Sequence, residues 1–393
     1  MKVLYVATKY DYGKQERGYS FEHYNFYHSL LHMGHDILYF DFMSLMQEYG
    51  REWMNRRLLE VAKAERPELM LTVLFTNELD RAVVREITEN TDAVTLNWFC
   101  DDHWRFDNYS RHWAPCFNWV VTTARSALPK YEDMGYRNVI KSQWACNHFL
   151  YRKCDLSLEH EVSFVGQPHG NRREIVQALS DAGIDVKVWG TGWGSGRLSQ
   201  EEMIRIFSQS HINLNLSNAS EPVSTPGLRA RNLARKWVSG FLSVAPFGSQ
   251  LKATVKRWLS AIGDSAHAAR TPDRLKGGSG QYTDQIKGRN FEIPGCGGFL
   301  LTGRAEDLEN YYEIDKEIVC FDDTHGLIEK VHYYLTHEDD RAVIAQAGYQ
   351  RTLRDHTYAH RFTEIFQRAG LPFTPLSVVL EGKVQPGQTE EVR

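Results

Sequence analysis

An α/β fold with two parallel sheets is what the sequence predicts, and three observations predict it. Short apolar runs alternate with helix-length amphipathic segments from residue 3 onward. The alternation breaks at a polar stretch, residues 155–160, and restarts after it. The 393 residues, 42% hydrophobic and 24% charged, suffice for two domains with a core each. Strands joined through helices pair in parallel and need cover on both faces.

Residues 3–7 (VLYVA) read as a buried first strand, 9–20 with Gly13 and Gly18 as a loop, and 21–33 as a helix stopped by Gly34. A second strand at 36–40 completes a right-handed β-α-β unit. Helical patterns over 47–65 and 78–90 alternate with apolar runs at 69–75 and 93–99, and strands follow at 119–123 and 139–144. A first domain, 1–155, ends there. The second, 156–370, opens with a strand at 162–166, a helix at 172–182 and a strand at 186–189. Ser199 with Glu202 is a capping box that opens a helix to about residue 208, and 211–216 alternates like a strand. Further on come a helical stretch at 306–312, a strand at 318–321, helices near 326–335 and 339–353, and a last helix at 358–366. Residues 371–393, rich in Pro, Gly, Thr and Glu, read as a loose tail.

The stretch 221–282 does not fit the repeat. It carries ten Lys or Arg against three acids, a local charge of +7 in a chain whose net charge is -4. The acidic total argues against general nucleic-acid binding. The basic stretch, with Trp237, Phe241, Phe247 and Trp258 interleaved, suits either an anionic surface or a solvated appendage. Six cysteines without a C-x-x-C pair indicate reduced thiols, and the N-terminal apolar run is too short for a signal sequence or a span. A cytoplasmic protein, soluble or peripheral at the inner face of the membrane, is expected.

Chemistry gathers in residues 284–303, DQIKGRNFEIPGCGGFLLTG. A helix beginning near Ile286 puts Asp284 at its mouth, Lys287 and Arg289 in its first turn and Glu292 about two turns in. Free N–H groups and the positive dipole end of such a helix attract phosphate. Pro294 and the glycines at 295, 297 and 298 end it before a strand at 299–302. The glycines alone suit a plain helix stop, and Asp284 with Glu292 suits a surface ion-pair site. Lys287, Arg289 and Glu292 together point to a nucleotide diphosphate.

An acid, seven residues and a Glu before a "CG" and a hydrophobic strand resembles the donor-binding segment of retaining GT-B glycosyltransferases. QIKGRNFEIPGCGGFLLT more closely resembles the C-terminal domain of the spore-maturation (CgeB-like) glycosyltransferase family, with Asp284 where the broader retaining families have Glu. The resemblance implies a GT-B fold: two Rossmann-like domains facing across a cleft, the last helix crossing back to the first domain, and 221–282 as an insertion. It also implies transfer of a sugar from a nucleotide-sugar donor to a carbohydrate, lipid-linked or other hydroxyl acceptor, with retention of configuration. A nucleotide-sugar epimerase and a non-catalytic sugar- or nucleotide-binding protein are the rival readings.

Under that reading Arg289 and Lys287 would cancel charge on the departing diphosphate. Glu292 would accept from the ribose hydroxyls, and Asp284 from those of the donor sugar. Gly166, Arg172 and Arg173, between a strand and a helix start, form a second phosphate candidate. Asn215, with Asn213, Ser217 and Asn218, would line the base or sugar pocket, or else be strand and turn. Gly18 would approach the donor from the first domain. Asp101 or Asp102, at a strand's carboxyl end, would be the general base if the reaction inverts. Adjacent rather than alternate aspartates argue against a metal, so no cofactor beyond the co-substrate is expected. His23 and His103 read as structural, and Trp144 as core.

Overall fold

β1 (Lys2–Val6) pairs in parallel with β2 (Asp36–Phe40) and with β3 (Leu69–Thr72), because an apolar strand buried along nearly its whole length needs neighbours on both edges. β4 (Val94–Phe99), β5 (Trp119–Thr122) and β6 (Val139–Lys141) extend the same sheet. A second parallel sheet holds β7 (His160–Val165), β8 (Val186–Trp189), β9 (Ser210–Asn215), β10 (Leu300–Gly303) and β11 (Val319–Phe321). The structure, a computed structural model, describes residues 1–216 and 284–392, all within one compact unit. The basic stretch 221–282, Ser217 and Asn218 lie outside the described residues.

The first sheet runs β12-β2-β1-β3-β4-β5-β6 and the second β11-β10-β9-β7-β8, with β12 at Thr389–Glu391. In each, the order reverses beside the first strand, between β1 and β3 and between β7 and β9. Loops leaving the carboxyl ends at such a reversal diverge and leave a crevice.

β12 corrects the expectation of a loose tail. Beyond residue 371 the chain forms a helix at Leu376–Leu380 and then adds β12 to the edge of β2, with the Ile37 N–H donating to the Gln388 carbonyl at 2.7 Å. Pro and Gly content hides this, because the order comes from the unpaired edge of β2 rather than from the tail's own propensity. Two local readings change as well. The helical pattern at 47–65 belongs to two helices, Phe42–Tyr49 and Arg51–Glu65, split at Gly50, whose φ of 85° an α-helix cannot hold. The stretch 306–312 is reduced to one 3-10 turn at Leu308–Asn310.

One hydrophobic core lies on the outer side of each sheet, and a third joins the two sheets. The Tyr358–Arg368 helix belongs to the third core and crosses back to the N-terminal lobe. Its Tyr358 and Phe362 rings pack on Phe26 with centroids 5.1 and 5.6 Å away, and Phe362 also meets Trp98. Cys146 donates its N–H to the His356 carbonyl at 2.9 Å and accepts from Tyr358 at 3.0 Å, so the link between the lobes is tied to the start of this helix. Among the described residues, no helix is long and apolar enough to cross a membrane.

Candidate active site

The crossover from β9 to β10 builds the centre of the site. β9 ends at Asn215, and residues 284–287 lead through a turn at Gly288 into the Arg289–Gly295 helix. Three buried polar side chains lock the start of this helix to both strands. Asn215 donates to Asn290 Oδ1 at 2.9 Å and to Thr302 Oγ1 at 3.1 Å, and Asn290 in turn donates to Thr302 and accepts from the Lys287 N–H at 2.9 Å. Buried amides persist only when their partners are in place. Asn215 is therefore spent on positioning this helix and lines neither of the cavities described below, a correction to its reading as a pocket residue.

Arg289 and Glu292, three residues apart, form an ion pair in which Glu292 is fully buried and the arginine side chain is 26% exposed. Glu292 Oε1 also accepts from the Tyr151 hydroxyl at 2.7 Å and from Asn25 Nδ2 at 3.4 Å. Burial lowers the arginine's pKa, but the carboxylate beside it more than offsets this and the net shift is upward, so the guanidinium keeps its charge. Fully buried with these partners, Glu292 lines neither of the cavities described below and is not placed to meet ribose hydroxyls. In this arrangement it aims Arg289, which corrects its assigned role.

Two cavities meet at this point. One, of about 350 Å³, opens at the β1/β3 reversal and is lined by Thr8, Glu22, Phe75, Asp101, Lys287 and Gly288 among others. The other, of about 480 Å³, lies past the carboxyl ends of β7 and β8, between Gly166, Gly190 and Arg289 on one side and Gly18, Tyr19 and Tyr24 on the other. Asp11 and Phe21 line both, so the cavities adjoin. Gly288 sits at the junction against Phe21, so close that a Cβ there would lie 2.8 Å from the ring. Two cations two positions apart, Lys287 and Arg289, thus face neighbouring spaces. Burial lowers the pKa of Lys287, with Asp101 and Asp284 opposing that shift.

Polar ties close the cleft from its two walls. Arg197 donates to Asp11 Oδ2 at 2.7 Å and to the Tyr19 carbonyl at 3.1 Å, and Gln285 Nε2 donates to Asp101 Oδ1 at 3.1 Å. The structure separates the adjacent aspartates. Asp101 lines the first cavity, whereas Asp102 is fully buried and accepts from the Tyr131 hydroxyl at 2.7 Å, so Asp102 is a core acid and not a base.

The second phosphate candidate is also revised. Arg172 spends its guanidinium on the carbonyls of Leu216, at 3.1 and 2.6 Å, and Gln167, at 2.8 Å, closing the ends of β7 and β9. Arg173 turns outward over the Trp193 ring, 4.7 Å from its centroid. Gly166 lines the second cavity, but its N–H is bonded to the Trp189 carbonyl at 2.8 Å and has nothing to offer a phosphate. Gly18, with φ of 78° and open space where a Cβ would point, forms part of the wall. Asp284 lies near both Arg172 and Lys287, where it partly opposes the lowering of their pKa values by burial. Among the described residues, no three His, Cys, Asp or Glu side chains come together as a metal would require. Glu22, Asn25, Tyr151 and Arg197 are site residues that sequence reading missed. Only Arg197, beside a glycine-rich loop, carried a local signal.

Residues 171–233 and 267–367 match the family described as glycosyl transferase-like, and the gap in that match falls inside the basic stretch. The chain is 22% identical over 242 residues to spore protein CgeB of Bacillus subtilis, covering 61% of this chain and 64% of that protein, somewhat less than two thirds of its length. Among solved structures, sucrose-phosphate synthase from Thermosynechococcus elongatus superposes with a TM-score of 0.55 at 9% identity, over 93% of this chain and 98% of the other. Anabaena HepE, solved in complex with UDP-glucose, superposes with a TM-score of 0.53 at 9% identity, over 94% and 98%. At such identities the superpositions establish the fold, which is the GT-B arrangement.

Proposed function

We propose that this chain, a relative of CgeB whose C-terminal half carries a glycosyl transferase-like domain in a GT-B fold, transfers a sugar from a nucleotide diphosphate donor to a hydroxyl acceptor. The observation that carries this reading is the Lys287–Gly288–Arg289 run at the junction of the two cavities. A diphosphate placed there meets a cation on each side, and charge that develops on it as the glycosidic bond breaks is cancelled by groups already in position. Glu292, itself held by Tyr151 and Asn25, fixes the Arg289 guanidinium, so little reorganisation accompanies the step. The donor's nucleotide would occupy the cavity beside β7 and β8, and the acceptor the cavity at β1 and β3.

HepE's complex with UDP-glucose supports a UDP-sugar as the first donor to try. With two cations at the leaving group, a divalent metal has no task left there. Nucleotide sugars are cytoplasmic co-substrates, and the unpaired cysteines agree with that setting. The test is calorimetric binding of a panel of nucleotide sugars to wild type, Lys287→Ala and Arg289→Ala. The two variants are expected to weaken binding or turnover at least about tenfold, and unchanged values in both would refute the site. Product analysis separates transfer from epimerisation.

A further inference from the structure

Glu22 lies at the start of the helical segment that follows β1 and lines the N-terminal cavity together with Asp101 and Lys287. Apolar side chains, Phe21, Val73, Phe99 and Trp144 among them, line the cavity beside these polar groups. Among the described residues, no lysine or arginine pairs with it. Its carboxylate meets its own N–H and the Ser20 hydroxyl, and that hydroxyl donates to the Thr8 carbonyl at 2.6 Å. Asp101, by contrast, accepts from Gln285 and faces the Lys287 charge. Tyr12 and Phe75, both half exposed, meet edge to face at the cavity wall with centroids 5.5 Å apart. Tyr12 is held in the left-handed backbone region, at φ 53°, where a non-glycine residue is uncommon.

We propose that Glu22 is the catalytic base of the transfer and takes the proton of an acceptor hydroxyl seated in this cavity. This rests on the glycosyl-transfer reading above. The acceptor oxygen forms a bond to the anomeric carbon while the bond from that carbon to the diphosphate oxygen breaks. The electron pair leaves with the diphosphate, against Lys287 and Arg289, and the proton stays on Glu22. In-line displacement inverts the anomeric centre, in contrast to the retention that the spacing of Asp284 and Glu292 suggests. Burial raises the Glu22 pKa and Asp11 raises it further, which brings a carboxylate closer to the range where a base works at neutral pH. The other charged groups lining the cavity are Asp101, Arg105 and Lys287.

The experiment uses the full chain as wild type, Glu22→Gln and Glu22→Asp, with the nucleotide sugar that wild type binds most tightly. Water serves as the acceptor first, then sodium azide. Glu22→Gln is expected to bind the donor within about twofold of wild type and to release nucleotide diphosphate about 10²- to 10⁴-fold more slowly with water, the usual worth of a general base. It should lose the acid limb of the pH–rate profile and recover release with azide, a nucleophile with no proton to give up. The glycosyl azide should have inverted configuration, and Glu22→Asp should keep part of the activity. A Glu22→Gln chain that binds donor and turns over at the wild-type rate with an unchanged profile overturns the base, as does a product of retained configuration. If wild type binds no nucleotide sugar, the glycosyl-transfer reading fails and the base with it.

Discussion

The Tyr151 hydroxyl donates to the Glu292 carboxylate at 2.7 Å across 141 residues of sequence, and the same carboxylate holds Arg289. One buried charge therefore ties the segment joining the lobes to the helix that begins at Arg289. Removing one member of such a pair strands the other. Glu292→Ala is expected to cost about 3–5 kcal/mol in urea unfolding, and Tyr151→Phe about 1.5–3 kcal/mol for a lost bond to a charged group. A Glu292→Ala loss below about 1 kcal/mol would show that the carboxylate is not enclosed in solution.

Gly288 provides the second test. Its absent side chain lets Phe21 pack at the junction of the cavities, and a Cβ there would also lie 3.3 Å from Glu292 Oε1. Gly288→Ala must displace the Phe21 ring or the carboxylate, at an expected cost of about 1–3 kcal/mol. Donor affinity should fall along with stability, because the obstruction lies between Lys287 and Arg289. Thermal unfolding with and without nucleotide sugar measures both, and an unchanged stabilisation by ligand would remove Gly288 from the site.

Buried histidines set the acid response of the fold. Burial, with His28 and Lys9 nearby, holds His23 down at about 3, and burial with Arg361 does the same for His356. The folded-state pKa lies below the unfolded value near 6.5, so the unfolded chain binds more protons between the two. Stability is fully present above about pH 6.5 and is lost as pH falls from there toward 3, at up to about 1.4 kcal/mol per pH unit for each such group. Urea midpoints at pH 7 and pH 5 test this. His356→Gln should flatten the dependence, and an identical slope would contradict it.

At the other end of the chain, Gly387 lies so near His35 that a Cβ would sit 1.9 Å from its carbonyl oxygen. Its N–H donates to the Leu31 carbonyl at 2.8 Å, and the Gln388 N–H to Asp36 Oδ1 at 3.0 Å. Gly387→Val should detach β12 and expose the edge of β2. The expected readout is faster amide exchange at Ile37 and Tyr39, with exchange in the second sheet unaffected. Unaltered exchange at Ile37 would mean that the tail does not protect this edge.

Local pattern alone sufficed for most of the strands and long helices. The run 36–40 and the capping box of Ser199 and Glu202 fold as read, because a short run with four consecutive apolar residues or a cap is decided within a few residues. Lys287, Arg289 and Gly18 are brought to the paired cavities, but nothing local distinguishes Asp101 from Asp102 or reveals that Arg172 is consumed by the carbonyls of Leu216 and Gln167. Those outcomes depend on which far-off atoms arrive beside each side chain.

The alternation of apolar runs and helical periods, readable from residue to residue, determined two parallel sheets. Only tertiary packing decided which carboxylates face open space and which are enclosed. Glu292 is enclosed by Asn25 and Tyr151, and Glu22 is left on the cavity wall with no lysine or arginine paired to it among the described residues. The physical reason is that a charge's role depends on its desolvation and its partners, and the two residues that enclose Glu292 lie more than a hundred residues away in the chain.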